Sequence, residues 1–522
     1  MAARHDVHSH AREQEVPGTY DLKAREGEET GYGQALYPVP SSDPNDPLQW
    51  SNWKKGTILA IASLYSFLAN SSLLGPSVYI GIYIEEFHIS PTVSSGLVNF
   101  PNLSFGFGAL ILVPLFYKVG RRPIMLLSML LYCGGLLGCA LSQSYNSLMA
   151  CRVLHTLGSG ICEVIPIALV NDIFFIHERG KKLGWYTVCL CLGSTGPLYA
   201  GYMLAGGHSW RLFFWVEFAF GVALFIAAFA FVEETRYNRK VTPSSPIEDS
   251  KEVTTTVEAV IPRKTLRQQL NPWSGIDHDA PFIMMALRSF TYYLVPVALW
   301  VNTTYGVFIA MGALTFNLTF PYLIVEEPYN WSQTNSGLIA VASMIGFFIA
   351  IPLTPASDIL AAKLTKRNNG IREAEMRLGV LLLPMIVAPA GLVVYGCTAQ
   401  YHLHWIGYFF GVGMAQWGAF YYFTGLFPYT MAYAVDSYSA SLPELLIATN
   451  LGKSAISFGM GYGILEWITQ RGYATVVAGI YMAVLLANNL FVIVFMIWGK
   501  RIRIFMHNSW VGKLHQESAK EY

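Results

Sequence analysis

About twelve stretches of roughly 20 predominantly apolar residues recur along this chain, each long enough to cross a bilayer as a helix. Six lie at roughly 55–80, 93–117, 123–142, 147–174, 183–205 and 211–232, and six more at roughly 292–318, 334–356, 378–398, 404–433, 442–465 and 474–498. In hydrocarbon every backbone N–H and C=O must be satisfied internally, so the segments are predicted to be helices. The expected fold is an all-α membrane protein made of two six-helix bundles. The divisions follow: a tail over 1–54, a bundle over 55–232, a polar loop over 233–291, a second bundle over 292–498 and a tail over 499–522. The loop contains ETRYNRKVTPSSPIEDSKEVTTTVE, too poor in apolar residues to form a core. The segment DAPFIMMALRSFTYY before span seven has the pattern of an interfacial helix.

Composition agrees with a membrane chain. Hydrophobic residues make up 53% and charged residues 13%, about half the charge of a soluble domain. A net charge of +1 gives no sign of nucleic acid as a partner. The seven cysteines are odd in number and lie in or beside apolar spans, which is not a disulfide framework, and Cys189 and Cys191 do not read as a metal site. The polar first 50 or so residues do not resemble a cleavable signal peptide, so span one is expected to act as the insertion signal.

Lys and Arg set the orientation. One set of loops carries Lys118, Arg121 and Arg122, then Arg179, Lys181 and Lys182, then Lys363, Lys366, Arg367, Arg372 and Arg377, and finally Lys500, Arg501 and Arg503. The opposite set has only Arg211 and Arg471 at its edges. Both tails and the central loop are therefore expected to be cytoplasmic. The loop FPYLIVEEPYNWSQ is expected outside, where Asn330 is a glycosylation candidate.

Within span four, SLMACRVLHTLGSGICEVIPIALVNDI holds Glu163 near its middle. A charge at bilayer depth costs at least a few kcal/mol and usually faces a bundle interior or watery cavity. Arg152, His155, Ser159, Glu163 and Pro166 recur at helical spacing and are predicted to share a cavity face. Arg152 and Glu163, about 16 Å apart on a continuous helix, are too far apart to pair. Glu163 then needs another partner or carries a proton, and it is the leading candidate for proton binding, with Arg152 modulating it. Lys453, about mid-span eleven beside Asn450, either neutralises a carboxylate in the resting bundle, anchors its helix, or binds an anionic cargo group. Tyr65, Asn70, Asn302, Tyr305, Gln416, Trp417, Tyr421 and Tyr422 complete the cavity candidates, with packing as the alternative for each. Asp172 and Asp436 lie near span ends and read as gating ion-pair members, Asp172 beside Arg179.

The loop VPLFYKVGRRPIML between spans two and three resembles the signature of the major facilitator superfamily: Lys118, Gly120, Arg121 and Arg122 match, while Tyr117 stands where the family has Asp. The second half keeps acidic and basic partners at Asp358 and Lys363. Span four's Arg152, Gly158 and Gly160 resemble the family's fourth-helix Arg motif, often assigned to proton coupling. Span five's GSTGPLYAG, with Gly193, Gly196, Pro197 and Gly201, resembles the fifth-helix signature of the drug:proton antiporters. The runs PGTYDL, DPNDPLQWSNWKK, LLGPSVYIG, HERGKK and SWRLFFWVEF are similar to fungal members. The resemblance covers nearly the whole chain. It implies the major facilitator fold with twelve spans, a site between the halves near the midplane, and Gly193, Gly196, Pro197 and Gly201 as a kinked, close-packed gate.

The expected function is proton-driven efflux of a small organic compound by alternating access. Import of a small organic cation such as a polyamine, with protons, is the alternative, and a transporter-like nutrient sensor a remote third. The expected partners are a small-molecule substrate, protons and lipid, with no cofactor, the chain acting as a monomer in the plasma membrane or else a vacuolar or peroxisomal one. No nucleophile–base spacing, phosphate loop, metal cluster or nucleotide-binding cassette points to an enzyme or an ATP-driven pump.

Overall fold

The computed structural model describes residues 19–21, 43–237, 265, 268, 271, 273, 275–277, 281–353, 356–368, 371–423 and 442–519. In the first half the helices are α1 (Asn52–Leu74), α2 (Ile80–Phe87), α3 (Pro91–Val119), α4 (Arg121–Leu141), α5 (Tyr145–Ser159), α6 (Val164–Ile173), α7 (Ile176–Gly193), α8 (Gly196–Ala205) and α9 (Arg211–Phe231). In the second they are α10 (Phe282–Thr291), α11 (Pro296–Phe308), α12 (Thr315–Val325), α13 (Ile339–Ala350), α14 (Ala356–Arg367), α15 (Pro384–Gln400), α16 (Ile406–Phe423), α17 (Leu442–Gly461), α18 (Ile464–Arg471), α19 (Met482–Asn508) and α20 (Trp510–Ala519). Two short strands, β1 (Thr19–Asp21) and β2 (Ile371–Glu373), pair antiparallel with Tyr20 opposite Arg372.

Among the described residues, ten helices or helix pairs are long and apolar enough to cross a membrane. The other two expected spans fall on α16, which ends at the limit of the described residues, and α17, which carries Glu444 and Lys453; neither is among the ten. Leu130, Phe220, Ile386 and Ile497 are each more than half exposed, as side chains that face lipid must be.

Local sequence explains where helices start and break. Ser51, Ser90 and Ser144 cap α1, α3 and α5 through their hydroxyls, and Pro91 opens α3, where its missing N–H costs nothing. Span four is broken rather than continuous. Pro166 cannot donate to the Cys162 carbonyl four residues back, and that carbonyl instead accepts the Ser66 hydroxyl at 2.7 Å. The chain turns over residues 160–163 between α5 and α6. Span five is likewise two helices, α7 and α8, with Pro197 in the first turn of the second.

The halves meet through α3 against α17 and α8 against the 3-10 turn Gln333–Leu338. A Cβ on Gly106 would lie 2.8 Å from Ser454 Cβ, and one on Gly337 only 2.2 Å from the Pro197 carbonyl, so both contacts depend on missing side chains. The second contact lies at the end opposite the basic loops.

At the basic end α20 folds against α10. His515 Nε2 is 2.6 Å from Thr291 Oγ1, and the ring stacks on Tyr292 with centroids 4.0 Å apart. Burial, and secondarily the Arg288 cation, push the imidazole down to about 4 from the usual 6.5. Between those values the detached helix binds a proton that the docked helix does not, so docking weakens as pH falls through this window. Hydrogen exchange over 510–519, corrected for intrinsic rates, should therefore be faster at about pH 5 than at about pH 7. His515→Gln should remove that difference; equal protection at both pH values in the wild-type chain would contradict this reading.

Candidate functional site

Glu163 sits at the end of the turn before α6, three residues ahead of Pro166. Its main-chain carbonyl accepts the Tyr186 hydroxyl at 3.1 Å. Its carboxylate forms an ion pair with the Lys453 ammonium on α17, a tie between the two halves. The side chains are 16% and 5% exposed, so the pair is screened by protein rather than water. Lys453 Nζ also lies 5.5 Å from the centre of the Phe105 ring, which adds a cation–π contact.

The pair lines a cavity of about 140 Å³ between the halves. Asn70, Asn102, Phe105 and Tyr186 contribute from the first half, and Tyr305, Phe308, Gln416, Thr449 and Asn450 from the second. The wall is mostly apolar and aromatic with a few placed polar groups, the usual character of a small-molecule site.

Of the expected cavity residues, Asn70, Tyr305, Gln416, Asn450, Glu163 and Lys453 line it. The others lie elsewhere: His155 and Ser159 because the stripe on span four is interrupted by the 160–163 turn, and Tyr65, Asn302, Trp417, Tyr421 and Tyr422 because their side chains are taken up by packing and hydrogen bonds among neighbouring helices. His155 is buried against Tyr132, ring centroids 6.1 Å apart, and among the described residues neither ring nitrogen has a hydrogen-bond partner. Ser159 donates to the Thr156 carbonyl, and Tyr65 is bonded to Ser128 at 2.7 Å. Asn302 is buried beside Gly452 on α17. Tyr421 donates to the Ala350 carbonyl, Tyr422 packs on Phe308, and Trp417 stands edge-on to Tyr421.

Arg152 is not beside the cavity either. Its guanidinium donates Nε to Leu97 O at 2.5 Å, Nη1 to Ser72 O at 3.2 Å and Nη2 to Leu73 O at 2.9 Å. Leu97 and Ser72 stand four residues before Pro101 and Pro76. Those prolines have no N–H to give, so the two carbonyls are orphaned by the sequence itself. Arg152 satisfies them, clamping α3 and the end of α1 to α5.

At the basic end Arg121 Nε reaches Asp172 Oδ2 at 3.2 Å, and its guanidinium lies 4.6 Å from the Tyr117 ring. Asp172 also accepts from Thr235. Arg179 turns to the main-chain oxygens of Asn171 and Phe174. The backbone amides of Arg121 and Arg122 are held by Glu234, Arg122 Nη2 by Phe229 O, and the Lys118 carbonyl by the Asp277 amide. Gly120 between them has φ 126°, open to glycine but strained for other residues. In the second half Lys363 is exposed; the Asp358 side chain and all of Asp436 lie outside the described residues. Gly193 and Gly196 pack on the backbone of Phe67 and Ser71, and Gly201 on Gly337. Asn330 is exposed in the loop after α12.

Sequence reasoning missed Asn102, Tyr186 and Thr449, which carry no charge to draw attention in an apolar span. It also missed Glu217, an acid six residues into α9, which the rule that singled out Glu163 would have found.

Residues 59–461 match the model of the Major Facilitator Superfamily. An uncharacterised MFS-type transporter of Schizosaccharomyces pombe is 26% identical, over 90% of this chain and 88% of its own length. The efflux pump radE of Floropilus chiversii is 27% identical, over 72% of this chain and 68% of its own. Among solved structures, the proton:xylose symporter XylE superposes with a TM-score of 0.55 at 11% identity, covering 86% of this chain and 96% of that one. That likeness is one of fold.

Proposed function

Because this chain belongs to the Major Facilitator Superfamily and is a multi-pass membrane transporter, we propose that it exchanges a small organic compound for protons, driving the compound out of the cytoplasm. The observation that carries this reading is the Glu163–Lys453 ion pair across the central cavity. A proton on Glu163 removes the carboxylate charge and with it the tie between the halves. The halves then rock about the cavity, exposing it to the other side. Return requires Glu163 to lose its proton with cargo in the cavity; re-forming the Lys453 pair without cargo must hold the halves still, or protons would leak instead of being exchanged. The aromatic wall of Phe105, Tyr186, Tyr305 and Phe308 suits a flat, largely apolar cargo. The relative named as an efflux pump agrees with the outward direction.

A second reading has its own support. The Lys453 ammonium rests between a carboxylate and an aromatic face, where an organic ammonium cargo would also rest. This favours a cation such as a polyamine, imported with protons. Proteoliposomes with an imposed proton gradient separate the two, with ethidium and spermidine as probes. Ethidium movement against the proton flow supports exchange, and spermidine accumulation along it supports import. Flux of both probes that ignores the gradient contradicts proton coupling.

The proposed orientation places the basic loops in the cytoplasm. Expressed in a eukaryotic host, the protein should show an endoglycosidase-sensitive band that disappears in Asn330→Gln. Labelling of Lys363→Cys in intact cells by a membrane-impermeant thiol reagent would contradict the assignment.

A further inference from the structure

Glu217 lies outside the central cavity, about 9 Å along α9 from its Arg211 end. Its side chain is fully buried, and three neighbouring helices each present a hydroxyl to it. Ser71 of α1 donates to Oε1 at 2.5 Å, and Tyr199 of α8 donates to the same oxygen. Tyr132 of α4 lies 3.1 Å from Oε2 and also 3.1 Å from the Leu68 carbonyl. None of these hydroxyls is charged. Behind them stand Cys133, beside Gly221, and His155, on the far side of the Tyr132 ring. Arg152, whose guanidinium lies 5.9 Å from the Phe214 ring, is engaged with its three carbonyls. Among the described residues no Lys, Arg or His forms an ion pair with Glu217.

Counting protons favours the protonated form. Tyr132 has one O–H and two acceptors. If Glu217 is ionised, that proton serves only one of them, and a charge lies buried without a cation. If Glu217 carries a proton on Oε2, it donates to the Tyr132 oxygen, Tyr132 donates to Leu68 O, and Oε1 accepts from Ser71 and Tyr199. Every contact is then a hydrogen bond.

The position gives this proton a mechanical consequence. Tyr199 lies on α8 between Pro197 and Gly201, the residues whose backbones abut Gly337 of the other half. Ser71 supports α8 from behind, since a Cβ on Gly196 would lie 2.5 Å from the Ser71 carbonyl. We propose that Glu217 is a second proton-binding site, occupied while α8 is closed on Gly337, and that parting of this contact lets water reach the carboxyl and take its proton. The proposal concerns a carboxyl outside the cavity and stands apart from the reading of Glu163.

Infrared difference spectroscopy on the purified full chain tests the first half of this. At about pH 7 an ordinary carboxyl is ionised. The wild-type spectrum should contain a protonated-carboxyl C=O band that is lost in Glu217→Gln, kept in Glu163→Gln, and shifted in Tyr132→Phe. Tyr132→Phe keeps the test open if Glu217→Gln does not fold. No band lost in Glu217→Gln, or no shift in Tyr132→Phe, overturns the proposal. Spin labels at Tyr202→Cys and Glu327→Cys test the second half. Raising the pH from about 6 to about 9 should lengthen the distance across the seal in the wild-type background and not in Glu217→Gln, which mimics the protonated side chain. An equal response of the two backgrounds overturns the link to α8.

Discussion

Glu163→Gln is expected to abolish gradient-driven transport while the protein remains folded and in its membrane. Glutamine keeps the size of the side chain and removes the charge that Lys453 faces and, in the proposed mechanism, the group that takes up the proton. The same change leaves the Lys453 ammonium buried without a counter-charge, a situation that costs about 3–5 kcal/mol when a buried pair is broken from one side. Thermal unfolding in detergent should therefore show Glu163→Gln to be less stable than the wild type. Removing both charges, as Glu163→Gln with Lys453→Met, should recover most of that loss. It should not recover coupling. A single variant that transports at the wild-type rate with the wild-type pH dependence would show that the pair only packs helices.

Arg152→Ala is expected to have the larger effect on folding. It takes the guanidinium donors from three buried carbonyls, Leu97 O, Ser72 O and Leu73 O. Each orphaned buried acceptor costs about 1–3 kcal/mol. Pro101 and Pro76 prevent the helices from repairing two of the three locally. Arg152→Lys should rescue poorly, since one ammonium lacks the planar fork that reaches all three oxygens. The measurement is the yield of monodisperse protein from size exclusion after membrane extraction. If Arg152→Ala extracts at the wild-type yield and loses only coupling, the residue is a proton-linked group and not a clamp.

These two residues also mark what could be read from the chain before its structure. The spans were legible because a bilayer leaves few ways to satisfy a backbone, so an apolar run of sufficient length almost dictates a helix. The acid in span four was legible for the same reason. Its partner was legible only as one of several alternatives. Lys453 reads as neutralising some carboxylate, anchoring its helix or binding cargo, but it is 290 residues away, and no periodicity within one helix says which carboxylate of the other bundle it meets. The polar stripe failed for a local reason that the sequence did contain. Pro166 interrupts the ladder four residues after Cys162, and a face drawn at 100° per residue does not survive the turn that follows. Arg152 was similarly half legible. Its motif pointed to a function, while Pro76 and Pro101, each four residues after an orphaned carbonyl, pointed to the clamp that the structure contains. In the loops, Tyr117 occupies the family's acidic position, and Asp172 from α6 supplies a carboxylate to Arg121 from another part of the chain.

The most direct measurement is of protons and cargo together in the wild-type protein. Sealed proteoliposomes holding a pH-sensitive dye are given an outward ethidium gradient with no initial proton gradient. Exchange predicts that ethidium leaving the vesicles acidifies the lumen, and that Glu163→Gln shows no such change. Ethidium efflux by the wild-type protein at constant internal pH would contradict the account.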